Sequence, residues 1–381
     1  MKVFIIAGEP SGDALGQAVM AGLKELVQEV RFDGIGGPLM EGEGLKSRFA
    51  MDELSVMGLA EVLPKYRQLK RRIAETAQAV LVSQPDVLLT IDSPDFCLRV
   101  AKLVKARQNI RTVHYVAPSV WAWRSGRAAK MAKVIDHVLA LLPFEPPLME
   151  AAGMDCDFVG HPIVAQQQAT AQEAAAFRAD HGLGNAPLIL TLPGSRRGEV
   201  TRLAPVFGEA LTRILKVHPD ARVVLPAAGP VVSVVEDLTK DWPGRPILLA
   251  PAIDDQTQAS KRSAFRAADV ALAASGTVSL ELAAARTPMV IAYDMSWLSR
   301  QIIGRMLKID TVTLVNLVSE TRTVPEFIGA NCKPDLIATS VLGTLKTPTK
   351  QEEAMALTMQ RLGEGQEPPG LRAARAILAR L

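Results

Sequence analysis

Cysteine, aromatic residues and net charge are all scarce in this chain, and each scarcity excludes something. The three cysteines, Cys97, Cys156 and Cys332, lie far apart, so no pair has disulfide-framework or zinc-ligand spacing. A reducing, cytoplasmic setting is expected. A formal net charge of +3 over 381 residues is too small for a nucleic-acid binder. No stretch approaches the roughly 20 apolar residues of a membrane-spanning helix. The apolar run at residues 3–7 is too short for the core of a signal peptide. A soluble chain, or one held only at a membrane surface, is the expectation. The five histidines, His114, His137, His161, His181 and His218, show no HxxxH or HExxH spacing. Asp155-Cys156-Asp157 has the form of a metal-binding Asp-X-Asp, but it precedes a predicted strand at 158–159, away from the phosphate-type turns, and no metal site is assigned to it.

What is present is a globular composition, 48% hydrophobic and 22% charged, at a length that suits about two domains. Short apolar runs predict strands at 3–7, 30–35, 87–91, 112–116 and 138–142. Amphipathic helices are predicted at 15–27, 71–83 and 96–107. After a Gln- and Ala-rich stretch at 166–172 the alternation restarts, with strands at 188–192, 222–225, 247–249, 270–273 and 289–292. Strands separated by helices of this length indicate α/β domains with parallel, doubly wound sheets. Ligands of such sheets bind at the carboxyl ends of the strands. Residues 370–381 read as a terminal amphipathic helix.

Ser275-Gly276-Thr277 follows the strand at 270–273 and opens a helix, with Glu281 about one turn later. Helix-tip N–H groups suit a diphosphate, and a carboxylate suits ribose hydroxyls. The same residues also fit an ordinary strand–turn–helix with a surface Glu. Gly194-Ser195-Arg196 follows the strand at 188–192 and forms a second phosphate-type turn, without the Lys of a P-loop. Asn316, polar within an apolar run, suits either a ligand contact or a turn. In the first half, residues 7–16 form a Gly-rich loop that is not GxGxxG and suits a sugar or an anion. Asp92 ends the strand at 87–91, where a carboxylate can serve as general base or close an Asx-turn. Trp121 and Trp123 either line a cleft or staple a loop. Residues 51–72 combine Val56, Met57 and Leu59 with Lys70, Arg71 and Arg72. That pattern fits an anionic membrane surface, or a core-facing helix with a solvated basic end.

Seven segments then occur in one order: AGEPSGDALG (7–16), IDSPDF (91–96), HYVAPSVWAWR (114–124), LPFE (142–145), VGHP (159–162), LPGSR (192–196) and ASGTVSLE (274–281). Together they resemble the lipid-A-disaccharide synthases, from the N-terminus to about Asn316. The resemblance implies a GT-B fold, two Rossmann-like domains facing an interdomain cleft. The expected boundaries are 1–165 for an acceptor-binding, membrane-facing domain and 186–345 for a UDP-sugar domain. A helical segment, 346–381, is expected to pack back on the first domain. It implies an inverting, metal-independent transfer with no cofactor, from UDP-2,3-diacylglucosamine to 2,3-diacylglucosamine 1-phosphate (lipid X). The setting implied is the cytoplasmic face of the inner membrane of Gram-negative bacteria, with a possible homodimer. Carried onto this chain, Asp92 is the expected base and Glu9 the second choice. Gly194, Ser195, Arg196, Ser275, Gly276 and Thr277 would hold the diphosphate, Glu281 the ribose, and Asn316 would help position the donor. Whether Arg196 or Arg197 meets the phosphate is open. The resemblance also favours membrane contact over the solvated-end reading of residues 51–72.

Overall fold

The computed structural model describes residues 1–54, 59–121, 126–249, 251, 253–295 and 309–381, with the backbone alone for 59–65. The chain divides into two compact units, Met1–Ala165 with Leu362–Leu381, and Gln166–Arg361.

The first unit is built on strands β1 (Lys2–Ala7), β2 (Arg31–Ile35), β3 (Val87–Ile91), β4 (Arg111–Tyr115), β5 (His137–Ala140) and β6 (Asp155–Phe158). They form one parallel sheet in the order β2-β1-β3-β4-β5-β6. β3 is buried along its whole length, as a strand covered by helices on both faces must be. Alternation along β1 divides its side chains between two cores. Phe4 and Ile6 face one, with Val100 and Val104 of the helix that follows β3; Val3, Ile5 and Ala7 face the other, with Val19 and Met20 of the helix that follows β1. These helices are α1 (Pro10–Leu26), α2 (Leu59–Ser83) and α3 (Pro94–Lys105). α2 starts twelve residues before the predicted helix at 71–83. The sheet order reverses direction between β1 and β3, which makes their carboxyl ends the crevice where such folds take ligands.

The second unit repeats the plan. β7 (Leu188–Leu192), β8 (Arg222–Pro226), β9 (Ile247–Leu249), β10 (Val270–Ala274), β11 (Met289–Tyr293) and β12 (Glu326–Ile328) form a parallel sheet ordered β12-β11-β10-β7-β8-β9. Its reversal lies between β7 and β10. The helices that matter are α4 (Arg197–Val217), α5 (Asp255–Ala267), α6 (Val278–Ala284), α7 (Leu314–Ser319) and α8 (Thr349–Arg361).

The return to the first unit begins at Leu362, later than the expected 346, because α8 packs on α6 and α7 and stays with the second unit. The C-terminal helix α9 (Pro369–Leu378) lies on α1 and buries Ala373, Ala374 and Ile377 in the first unit's core. Glycines permit the approach: a Cβ on Gly370 would stand 2.5 Å from the Ala18 carbonyl oxygen. Arg380 then pairs with Asp157 at 2.7 Å and with Asp155 at 3.2 Å. Asp155-Cys156-Asp157 therefore lies within edge strand β6, not before a strand. Its two carboxylates are engaged by Arg380, by Arg111, and by His137 at 2.8 Å.

Candidate active site

In the second unit, both phosphate-type turns and Glu281 line one pocket of about 590 Å³ at the carboxyl ends of β7, β8 and β10. Gly194 has φ +123°, and a Cβ there would stand 2.6 Å from Cβ of Glu199, so the turn needs glycine. The Ser195 N–H donates to Glu199 Oε2 at 3.3 Å, and Arg196 Nη1 donates to Oε1 at 3.0 Å. Arg196 precedes the first turn of α4 with its side chain 66% exposed. Opposite, Gly276 takes φ +152° with open space where a Cβ would lie. Glu281 meets Lys261 of α5 at 2.7 Å. Arg196 and Lys261 thus each already have a carboxylate, and an entering dianion competes with Glu199 for Arg196 and the Ser195 N–H.

Lys261 and the turn after β8, Pro226 to Gly229, also line this pocket and were not singled out from the sequence. The Ala228-Gly229-Pro230 turn signal was there to be read. Lys261 belongs to no motif. Asn316 takes a different part from the expected ligand contact. It is 1% exposed, and its amide is spent on Thr311 Oγ1 at 3.2 Å, the Val324 carbonyl at 2.9 Å and the Val324 N–H at 3.0 Å. These bonds tie the Thr311 and Val324 segments together, so its side chain holds a turn.

In the first unit, parallel register aligns Ala7, Ile91 and Tyr115, so Gly8-Glu9, Asp92-Ser93 and Val116 leave adjacent strand ends side by side. The Asp92 N–H donates to the Tyr115 carbonyl at 3.0 Å. A Cβ on Gly8 would stand 2.5 Å from Ser93 Oγ. Asp92 (φ +49°), Ser93 (φ +43°) and Val116 (φ +86°) are left-handed non-glycine residues, and for β-branched Val116 this is a true outlier. Burial pushes the Asp92 carboxyl above its ordinary range, partly offset by the Ser93 N–H. A half-buried, raised carboxyl at a switch point is suited to accepting a proton. Glu9 is the residue that precedes α1. Asp13, on the first turn of α1, accepts N–H bonds from Gly37, Leu39 and Met40 and so fixes the loop after β2.

Val56, Met57 and Trp123 lie outside the described residues, and for Leu59 only the backbone is described. Lys70 and Arg71 are exposed on α2. Arg72, by contrast, is engaged within the fold: its guanidinium grips Glu53 at 2.7 and 2.8 Å, meets Glu75 at 3.0 Å, and stacks 4.3 Å over the Phe49 ring. Among the described residues no helix is long and apolar enough to cross a membrane.

A family model described as lipid-A-disaccharide synthetase matches residues 3–377. The chain is 66% identical over 383 residues to the lipid-A-disaccharide synthase of Ruegeria pomeroyi, covering 100% of this chain and 96% of that one. It is 46% identical over 384 residues to that of Rhodospirillum centenum, covering 99% and 94%. Among solved structures it is similar to a putative UDP-N-acetylglucosamine 2-epimerase from Listeria monocytogenes. The TM-score is 0.63 at 18% identity, over 99% of this chain and 95% of the other. It is also similar to the UDP-GlcNAc 2-epimerase from Neisseria meningitidis bound to UDP-GlcNAc, with TM-score 0.61 at 13% identity, over 100% and 98%. At such identities the structural likeness speaks for the α/β, GT-B fold class alone. The sequence relatives decide the family, and the chain belongs to the lipid-A-disaccharide synthases.

Proposed function

We propose that the chain transfers the sugar of UDP-2,3-diacylglucosamine to the 6-hydroxyl of lipid X, giving the β-1,6-linked disaccharide 1-phosphate and UDP. The Asp92 carboxylate takes the hydroxyl proton as the oxygen attacks the anomeric carbon. The bond from that carbon to the UDP oxygen breaks on the opposite face, so the configuration inverts without a covalent intermediate. Negative charge leaving on UDP is received by Arg196 and by the N–H groups of Ser195, Ser275, Gly276 and Thr277, so no metal is required. Glu281 accepts from the ribose hydroxyls, and Glu9 is the second sugar ligand or base. Work at the inner-membrane surface through the exposed basic residues of α2, and a homodimer, belong to the same reading.

The observation that supports this most is the convergence of two phosphate-type turns, Arg196 and Glu281 on one pocket. The test is Asp92→Asn. Loss of a positioned base lowers turnover by roughly 10²- to 10⁴-fold, while UDP affinity, measured by calorimetry, stays as in wild type. Near-normal turnover removes Asp92 from the role of base.

A further inference from the structure

Glu145 follows β5, is 3% exposed, and is tied to two loops at once. Its Oε2 accepts the Leu142 N–H at 3.0 Å, and its Oε1 accepts the indole N–H of Trp121 at 3.3 Å. The Trp121 ring meets Phe144 edge-on with centroids 5.5 Å apart. Among the described residues, its carboxyl is acted on by burial and by the N–H donors of Leu141, Leu142 and Trp121, and no cation is among them. From β6 the titratable neighbour is Cys156, whose thiol burial pushes up to about 12 and keeps neutral. A buried carboxylate without a cation is costly. An apolar residue would pack the site without that cost, so the acid is explained by what it holds.

It holds the far end of residues 116–121. The near end of this loop leaves β4 at strained Val116, whose N–H is fixed to the Leu139 carbonyl, beside the Asp92–Tyr115 hydrogen bond. Between the two ends Ala117 and Val120 are buried in the first unit's core, so a shift at Trp121 is carried along a packed segment to Val116, next to Tyr115, whose carbonyl accepts the Asp92 N–H. We propose that Glu145 is a positioning residue of the transfer reaction: by accepting the Trp121 and Leu142 N–H groups, it fixes the loop that flanks the catalytic edge of the first unit. This rests on the reading of Asp92 given under the proposed function.

Two variants of the full-length chain test it. Glu145→Gln replaces one acceptor oxygen by a donor, and Trp121→Phe keeps a ring but removes the N–H. Each is expected to lower kcat about tenfold or more, the scale of a slight misplacement of reacting groups. UDP affinity should stay near wild type in both variants, and the thermal unfolding midpoint should do so in Trp121→Phe, which keeps the Glu145 carboxyl. The Trp121 indole ¹⁵N–H resonance, identified by its loss in Trp121→Phe, should move in Glu145→Gln. A moved resonance with wild-type kcat overturns the proposal, as does a kcat loss matched by an equal loss of UDP binding. If Glu145→Gln does not fold, Trp121→Phe decides by the same kcat criterion. Asp92→Asn measured in parallel separates the two claims. Near-normal turnover there sinks the base and leaves the two clamp variants to be judged on their own kcat.

Discussion

Three residues at the ends of β3 and β4 sit where side chains are disfavoured, Asp92, Ser93 and Val116. Each such conformation costs about 1–3 kcal/mol and persists only where the surroundings over-determine it. Here the surroundings are the paired strand ends and the approach of Gly8 to Ser93. Glu145 adds a cost of a different kind, and one that depends on pH. Its carboxyl titrates at about 7 in the folded chain against an ordinary 4.5. The folded chain therefore keeps a proton that the unfolded chain releases. This contribution is full below about 4.5 and is lost as pH rises through about 7. The difference corresponds to about 3 kcal/mol. In urea unfolding at pH 5 and pH 8, the wild type should lose up to ~3 kcal/mol more than Glu145→Gln over that interval. Equal pH dependence in the two proteins would assign the titration to other groups. The ionised form, which accepts both N–H groups, is thus the less stable one.

At the scale of elements, α2 carries two kinds of basic residue that its sequence does not distinguish. Arg72 is bound into the fold by Glu53, Glu75 and Phe49, and it holds the Glu53 carboxyl below its ordinary range. Lys70 points outward, and Arg71 pairs with Glu75 at 3.5 Å in an exposed pair of little energetic weight. Changing Lys70 and Arg71 together to Ser should weaken binding to anionic vesicles by about 1 kcal/mol per charge. Arg72→Ser should instead lower the unfolding midpoint and leave vesicle binding nearly unchanged. Vesicle binding unaffected by the double change would return α2 to being a helix with a solvated end. The central strands were legible because strands buried on both faces are continuous apolar runs, as in β3, β7 and β10. β12, three half-buried residues on an edge, carries no such run. β6 was misplaced because its acids are held by Arg111 and Arg380, partners distant in sequence. The phosphate-type turns were legible from glycine and arginine spacing. Lys261, the commitment of Asn316 and the clamp at Glu145 were not, since burial and partners there are tertiary facts.

At the scale of the molecule, each unit has one reversal of sheet order, β1/β3 in the first and β7/β10 in the second. The residues assigned to chemistry gather at these two places, Glu9 and Asp92 at one, the turns at 194–196 and 275–277 at the other. The chain ends by re-entering the first unit through α9, so the first unit's core is complete only when the last residues are in place. The fold alone is shared with proteins named as epimerases, so the product must decide the central claim. Purified protein would be given UDP-2,3-diacylglucosamine and radiolabelled 2,3-diacylglucosamine 1-phosphate in mixed micelles with EDTA present. A labelled disaccharide phosphate, formed in equal amount to the UDP released, is the predicted result. No disaccharide with or without added magnesium would contradict the transfer reaction, and disaccharide only with magnesium would contradict its independence of metal.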